Sequence, residues 1–193
     1  DVNTGNVFRV CCCRMVCQSC EGKIGTGACP LCRLPAPKAH AELLARLRRH
    51  VENDVPEAIT FLGLAYGRGR LGLVKSDKKA ANIWKRAVEL GDVDAMVFLG
   101  EMYDYGEGVK LDKKKAERLY RAAADRGDAV AQNRLGALLH SEEKFEEAAR
   151  YFVLAANQGH TSGEFNLGIC YRDGDGTEVD LGKARYWFER AAA

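Results

Sequence analysis

The sequence predicts an all-α chain, an α/α superhelical solenoid of four helix-pair repeats, with a small cysteine-rich module ahead of it. Three observations carry this. A Leu-Gly step recurs at Leu62-Gly63, Leu99-Gly100, Leu135-Gly136 and Leu167-Gly168, at intervals of 37, 36 and 32 residues. An Ala-x3-aromatic-x2-Ala pattern follows each step, beginning at Ala80, Ala116, Ala148 and Ala184. Seven of the eight cysteines fall between Cys11 and Cys32. A period of 20 to 50 residues is the mark of stacked supersecondary units, so the chain divides into residues 1–33, a linker and capping helix over 34–55, and repeats at 56–92, 93–128, 129–160 and 161–193.

Composition sets the bounds. The chain has 193 residues, 47% of them hydrophobic and 29% charged, and a net charge of +2 with the two signs interleaved. That is an ordinary globular balance with no single-signed field to draw nucleic acid or a membrane surface. No apolar run approaches the roughly 20 residues a spanning helix needs. No nucleophile is paired with a base, so neither a small-molecule substrate nor an intrinsic active site is expected.

In the first segment, Cys17-x2-Cys20 and Cys29-x2-Cys32 are two thiolate knuckles, and Cys11, Cys12 and Cys13 precede them. A two-residue gap lets one tight turn aim two sulfurs at one ion, and zinc takes four such donors tetrahedrally. Zinc is therefore the expected cofactor, with a reducing compartment, the cytoplasm, as the expected location. Cys17, Cys20, Cys29 and Cys32 around one zinc, with Cys11 to Cys13 spare, is the simpler alternative to an interleaved arrangement. The order Cys11-x-Cys13-x3-Cys17-x2-Cys20 followed by Cys29-Pro-x-Cys32-Arg33 also resembles the second half of a RING finger. The alternative register through Cys12 would put Arg14, which cannot ligate, at a ligand position. In a RING the sites interleave, so the resemblance implies a partner knuckle upstream of Asp1 for Cys17 and Cys20. It also implies recruitment of a ubiquitin-conjugating enzyme, with the repeats selecting the substrate of an E3 ubiquitin-protein ligase.

Pro35 and Pro37 make a stiff connection, and Leu43, Leu44, Leu47 and Val51 then line one face of a helix that Pro56 stops. This helix is expected to cap the first repeat. Within each repeat the spacings of three and four place Ala, Leu, Gly and the aromatic on one face of each helix. Ala and Gly allow close helix approach, and the aromatics Trp84, Tyr120, Phe152 and Phe188 are expected to fill the space between neighbouring units. Gly91, Gly127 and Gly159 suit helix ends. Gly67, Gly69, Gly72, Gly106, Gly108, Gly174 and Gly176 suit loop residues with positive φ. The third repeat has only His140-Ser-Glu-Glu-Lys144 between its helices and is expected to turn tightly.

Residues 95–128, AMVFLGEMYDYGEGVKLDKKKAERLYRAAADRGD, resemble a complete Sel-one-like repeat. Residues 161–193 follow the same pattern, with Thr177 in place of Val and the chain stopping before the closing glycine. The resemblance implies a tetratricopeptide-like superhelix whose surface holds other proteins as an adaptor or scaffold.

Five other features belong to the same reading. Gly67-x-Gly69-x2-Gly72 spells a dinucleotide-binding fingerprint, but that motif works only after a strand, and a repeat loop is expected instead. Asp173-Gly-Asp175-Gly lacks the pattern of a calcium loop. His40 is expected at a helix start and His160 at a repeat boundary on the surface. Cys170 is expected in the core.

Overall fold

A computed structural model describes residues 6–9, 14–17 and 40–193 of the chain. Near the N-terminus, β1 (Asn6–Arg9) and β2 (Arg14–Cys17) pair antiparallel, with Asn6 opposite Cys17 and Arg9 opposite Arg14. The helical pattern and the cysteine spacing did not announce this pair. Residues 40–193 are helical: α1 (His40–Glu52), α2 (Pro56–Gly67), α3 (Asp77–Glu89), α4 (Val93–Tyr105), α5 (Lys113–Ala124), α6 (Ala129–Ser141), α7 (Phe145–Asn157), α8 (Thr161–Asp173) and α9 (Leu181–Ala192). They belong to two compact units, residues 1–95 and 96–193.

In the first unit, α1 buries Leu47 completely against Ala58 and Leu62 of α2, with Leu43, Leu44, Val51 and Phe61 around them. Pro56 opens α2, where its missing N–H costs nothing. Trp84 of α3 lies on Gly63 of α2, and its indole Nε1–H donates to the carbonyl of Thr60 at 3.1 Å.

The second unit repeats this contact three times. A methyl group added at Gly100 would sit 2.7 Å from the ring of Tyr120, at Gly136 2.7 Å from Phe152 and at Gly168 2.6 Å from Phe188. Real Cβ atoms do not approach that closely, so each Leu-Gly glycine is the floor on which its own partner helix seats a ring. The aromatics therefore fill the space within a helix pair rather than the gap between repeats, because the two helices of a pair cross where the first has no side chain. Between repeats the small residues do the work. A methyl group at Gly163 would lie 2.7 Å from Cβ of Ala155 in the preceding helix.

Connections between paired helices are built alike. The backbone N–H of Ser76, Asp112 or Asp180 donates to the carbonyl of Tyr66, Tyr103 or Tyr171, at 2.9, 2.8 and 2.8 Å. The same three residues cap the second helix, accepting from the N–H of Lys79, Lys115 and Lys183. Each of those lysines carries its ammonium over the ring of the corresponding tyrosine, 5.1 to 5.3 Å from the centroid. Gly69, Gly72, Gly106, Gly108, Gly174 and Gly176 all have positive φ in these loops, whereas Gly67 ends α2 without it. The third repeat turns in three residues, Glu142 to Lys144, with Glu143 at φ 61° and no side-chain cap on α7.

The step from one repeat to the next is also shared. Gly91, Gly127 and Gly159 take φ of 85°, 87° and 75°. The following residue then donates its N–H back to Ala87, Ala123 or Ala155, closing a Schellman-type end. Its side chain meanwhile caps the next helix. Asp92 accepts from the N–H of Ala95 and Asp128 from that of Ala131, both at 2.7 Å.

Overpacking sets the test. Gly136→Ala drives a methyl into Phe152, and the roughly 1 kcal/mol that Ala gains over Gly in a helix offsets only part of a strain of about 1–3 kcal/mol. Urea unfolding is expected to show net destabilisation, partly relieved by adding Phe152→Leu.

Candidate protein-interaction surface

The first helix of each pair uses one face to seat the Leu-Gly step and leaves another turned outward. On α2 the outward stripe is Glu57, Phe61 and Leu64, at steps of four and three. In the second unit it is Phe98, Glu101 and Tyr105 on α4; Val130, Arg134 and Ala137 on α6; and Asn166 and Ile169 on α8. Leu99, Leu135 and Leu167 on the seated faces are almost wholly buried, while Tyr105 is 60% and Val130 39% exposed.

Polar bonds tie these outward faces together. Arg134 of α6 reaches Glu101 of α4 at 2.6 Å. Asn166 of α8 donates its amide N–H to Oδ1 of Asn133, one residue before Arg134, at 2.8 Å. Beneath them, Gln158 donates to Oε1 of Gln132 at 2.8 Å and to the carbonyl of Gly127 at 3.0 Å. Tyr120, admitted by Gly100, is fully buried, and among the described residues its hydroxyl has no hydrogen-bond partner. Burial, with Asp104 and Glu101 nearby, raises its pKa far above the usual phenol value, so it stays protonated. Burial works against the Arg134 charge, but Glu101 and the neighbouring tyrosines outweigh it and hold its pKa above the ordinary value. On the second helices, Arg121 binds Glu117, Glu147 and the Tyr151 hydroxyl, all within 3.0 Å, and these contacts raise its pKa.

At the last junction His160 stands where Asp92 and Asp128 cap the earlier repeats. It is half-buried rather than freely exposed, and its Nδ1 accepts from the N–H of Gly163 at 3.1 Å. Burial lowers its pKa, and Asp128 opposes this only in part. His140 faces Asp175 at 2.8 Å, so the Asp173-Gly-Asp175-Gly segment is a repeat loop held to the third repeat. Cys170 is buried, and burial pushes its thiol up to about 11, an unreactive core cysteine. His40 is exposed at the start of α1.

Glu164 escaped the sequence reading. It is buried, and its carboxylate meets Arg190 of α9 at 2.7 Å. Its column in the repeat alignment runs Ile59, Met96, Gln132, Glu164, and that drift from apolar to charged was visible. Of the expected zinc ligands, Cys17 ends β2, and Cys11, Cys12, Cys13, Cys20, Cys29 and Cys32 lie outside the described residues. Among the described residues no three His, Cys, Asp or Glu side chains gather as a metal site, and no helix is long and apolar enough to cross a membrane.

The helix pairs, their shared glycine floors and their common loops mark one repeat unit used four times. The family model for the Sel1 repeat matches residues 56–92, 93–128, 129–160 and 161–193. The chain belongs to the Sel1 repeat family. The chitin synthase regulator SKT5 of Saccharomyces cerevisiae is 34% identical over 149 residues, which is 72% of this chain and 21% of that protein. DAP3-binding cell death enhancer 1 of Rattus norvegicus is 39% identical over 84 residues, 42% of this chain and 16% of that one. The chain thus spans about a fifth or less of these relatives' length. A crystal structure of a Sel1 repeat protein from Oxalobacter formigenes superposes with a TM-score of 0.70 at 26% identity, covering 78% of this chain and 63% of that one. The protective antigen c5321 of uropathogenic Escherichia coli shares the fold, with a TM-score of 0.53 at 22% identity over 82% of this chain and 42% of its own.

The His160 cap titrates. A histidine whose folded pKa is depressed is favoured neutral by the folded state, so its stabilisation is complete above the unfolded value near 6.5 and declines as pH falls below it. Melting temperatures at pH 7.5 and 5.5 are expected to differ more for the wild type than for His160→Asn, which keeps a cap without the titration. Equal shifts would refute this.

Proposed function

We propose that this chain is a protein-interaction scaffold, and that the outward faces of its first helices hold partner polypeptides. One observation carries the reading: on α4, α6 and α8 a half-exposed stripe mixes apolar groups with an Arg–Glu pair and amides instead of being sealed. Such a surface offers an incoming chain apolar contact and hydrogen bonds for its backbone. Sel1 repeats generally mediate protein interactions. The yeast relative is named as a regulator of another protein and the rat relative for binding one, which supports the same role. Affinity capture with the full chain tests it. Tyr105→Ala with Arg134→Ala is expected to lose specific partners at least about tenfold, because exposed Tyr and Arg are the residue types that dominate interfaces. Arg150→Ala on a second helix is expected to retain them. Indifference of every partner to the first pair would sink the proposal.

The cysteine spacing favours a second activity. Cys17, Cys20, Cys29 and Cys32, with Cys11, Cys12 and Cys13 nearby, have the residue type and pairing of zinc ligands. We infer a zinc-binding module that recruits a ubiquitin-conjugating enzyme to a partner held by the repeats, in a reducing cytoplasmic setting. Elemental analysis of the purified chain is expected to find one or two zinc ions, lost in part or whole on Cys29→Ser, and ubiquitin transfer is expected to fail in the same variant. A zinc-free chain would end this reading and leave the scaffold intact.

A further inference from the structure

We propose that the connection between α2 and α3 together with the first turn of α3, residues 68–79, is a docking loop for an acidic segment of a partner protein. It is a surface distinct from the helix stripe, and it rests on the scaffold reading only in that its ligand is a protein.

The loop departs from its counterparts in charge. Residues 68–79 hold five cations, Arg68, Arg70, Lys75, Lys78 and Lys79, against the one carboxylate of Asp77. The matching loop of the second repeat, 105–115, has four cations against two carboxylates, and that of the fourth, 173–183, has one against four. Aligned on the tyrosine that precedes each loop, Arg68 and Arg70 stand where the second repeat has Tyr105 and Glu107 and the fourth has Asp173 and Asp175. Two cations have replaced the acids of a sister loop at the same backbone positions.

Among the described residues these charges are also largely unpaired. Arg68, Arg70, Lys75 and Lys78 are exposed. Among the described residues, Arg68, Arg70 and Lys78 have no carboxylate within ion-pair distance, and Lys75 reaches Asp77 only at 3.7 Å. In the fourth repeat, by contrast, the loop's Asp173 and Asp175 are paired with Arg172 and His140. The first loop is one residue longer than its counterparts, and Leu71 takes φ 58°, a costly conformation for a branched side chain. Leu71 and Leu73 join the core of the first unit, which anchors the loop, while Val74 beside Lys75 is 85% exposed. An anchored loop presenting four exposed cations and one bare valine complements a carboxylate-rich segment carrying an apolar residue.

A nucleic acid fits less well. Residues 68–79 contain no aromatic to stack a base, and the nearest ring, Tyr66, already lies under Lys79. A membrane surface fits less well too, since one valine is a small apolar area to insert.

The full chain tests this by fluorescence anisotropy with a labelled peptide of alternating Glu and Leu. A Gln-Leu peptide, a single-stranded oligodeoxynucleotide and phosphatidylserine vesicles serve as competing probes. The acidic peptide is expected to bind, to weaken with salt, and to lose about tenfold in affinity on Arg68→Glu with Arg70→Glu. Arg68→Gln with Arg70→Gln is expected to give a smaller loss, and Lys110→Glu in the second repeat none. Melting curves confirm that each variant is folded. Peptide binding that ignores both Arg68/Arg70 pairs, or tighter binding of the oligonucleotide or vesicle through the same residues, overturns the proposal. Capture of partners that depend on Tyr105 and Arg134 is unaffected by these loop variants, so the scaffold reading and the loop fail separately.

Discussion

The contact between a Leu-Gly glycine and one aromatic ring sets the geometry of every pair. With no Cβ at Gly63, Gly100, Gly136 or Gly168, the ring of Trp84, Tyr120, Phe152 or Phe188 rests on helix backbone. The crossing point of the two helices is thereby fixed to one residue on each. From that point the rest follows by chain length. The first helix ends near the tyrosine four residues after the Leu, whose carbonyl is then within reach of the residue that caps the second helix. A flatter contact between two leucines would leave the helices free to slide by a ridge, and the loop bonds repeated at Ser76, Asp112 and Asp180 would not recur so closely.

Between repeats a second economy operates. One two-residue step, Gly91-Asp92, Gly127-Asp128 or Gly159-His160, ends one helix and starts the next. Glycine supplies the left-handed turn, the following N–H closes it, and that residue's side chain satisfies the first free N–H groups of the new helix. Asp does this with a carboxylate that also suits the positive end of the helix dipole. His160 can do it only while its Nδ1 is unprotonated, so the last junction depends on the neutral form of an imidazole.

Whatever is local and periodic was legible in the sequence. The helix pairs, the positive-φ loop glycines and the tight third turn all rest on residues within one repeat, and their recurrence separated them from chance. The aromatics were identified but misplaced, because spacing shows which residues share a face and not which neighbour that face meets. Glu164 was missed for a related reason. Its partner Arg190 lies 26 residues on and in another helix, and a carboxylate in a core column reads as an error until its cation is seen. The stripe on α4, α6 and α8 was implied only by family resemblance, since no single sequence distinguishes Arg134 bound to Glu101 from an arginine in solvent. The cysteine segment remains a matter of spacing, with six of its seven cysteines outside the described residues.

The polar drift toward the C-terminus bears on what the outward surface can be. In the second unit the bonds between first helices are Glu101 to Arg134 and Asn133 to Asn166, where the first repeat keeps Phe61 and Leu64 at the outward positions. Apolar contacts between repeats stabilise stacking without fixing register tightly, because a leucine tolerates small slides. An amide pair or an Arg–carboxylate pair tolerates little. Exchanging some apolar burial for directed bonds therefore holds α4, α6 and α8 at a set spacing even where their outward faces are left half-exposed. A surface meant only for solvent would not need that spacing held. A surface that presents Tyr105, Val130 and Asn166 to one extended chain does, because a binding partner reads the distance between anchors as well as their chemistry.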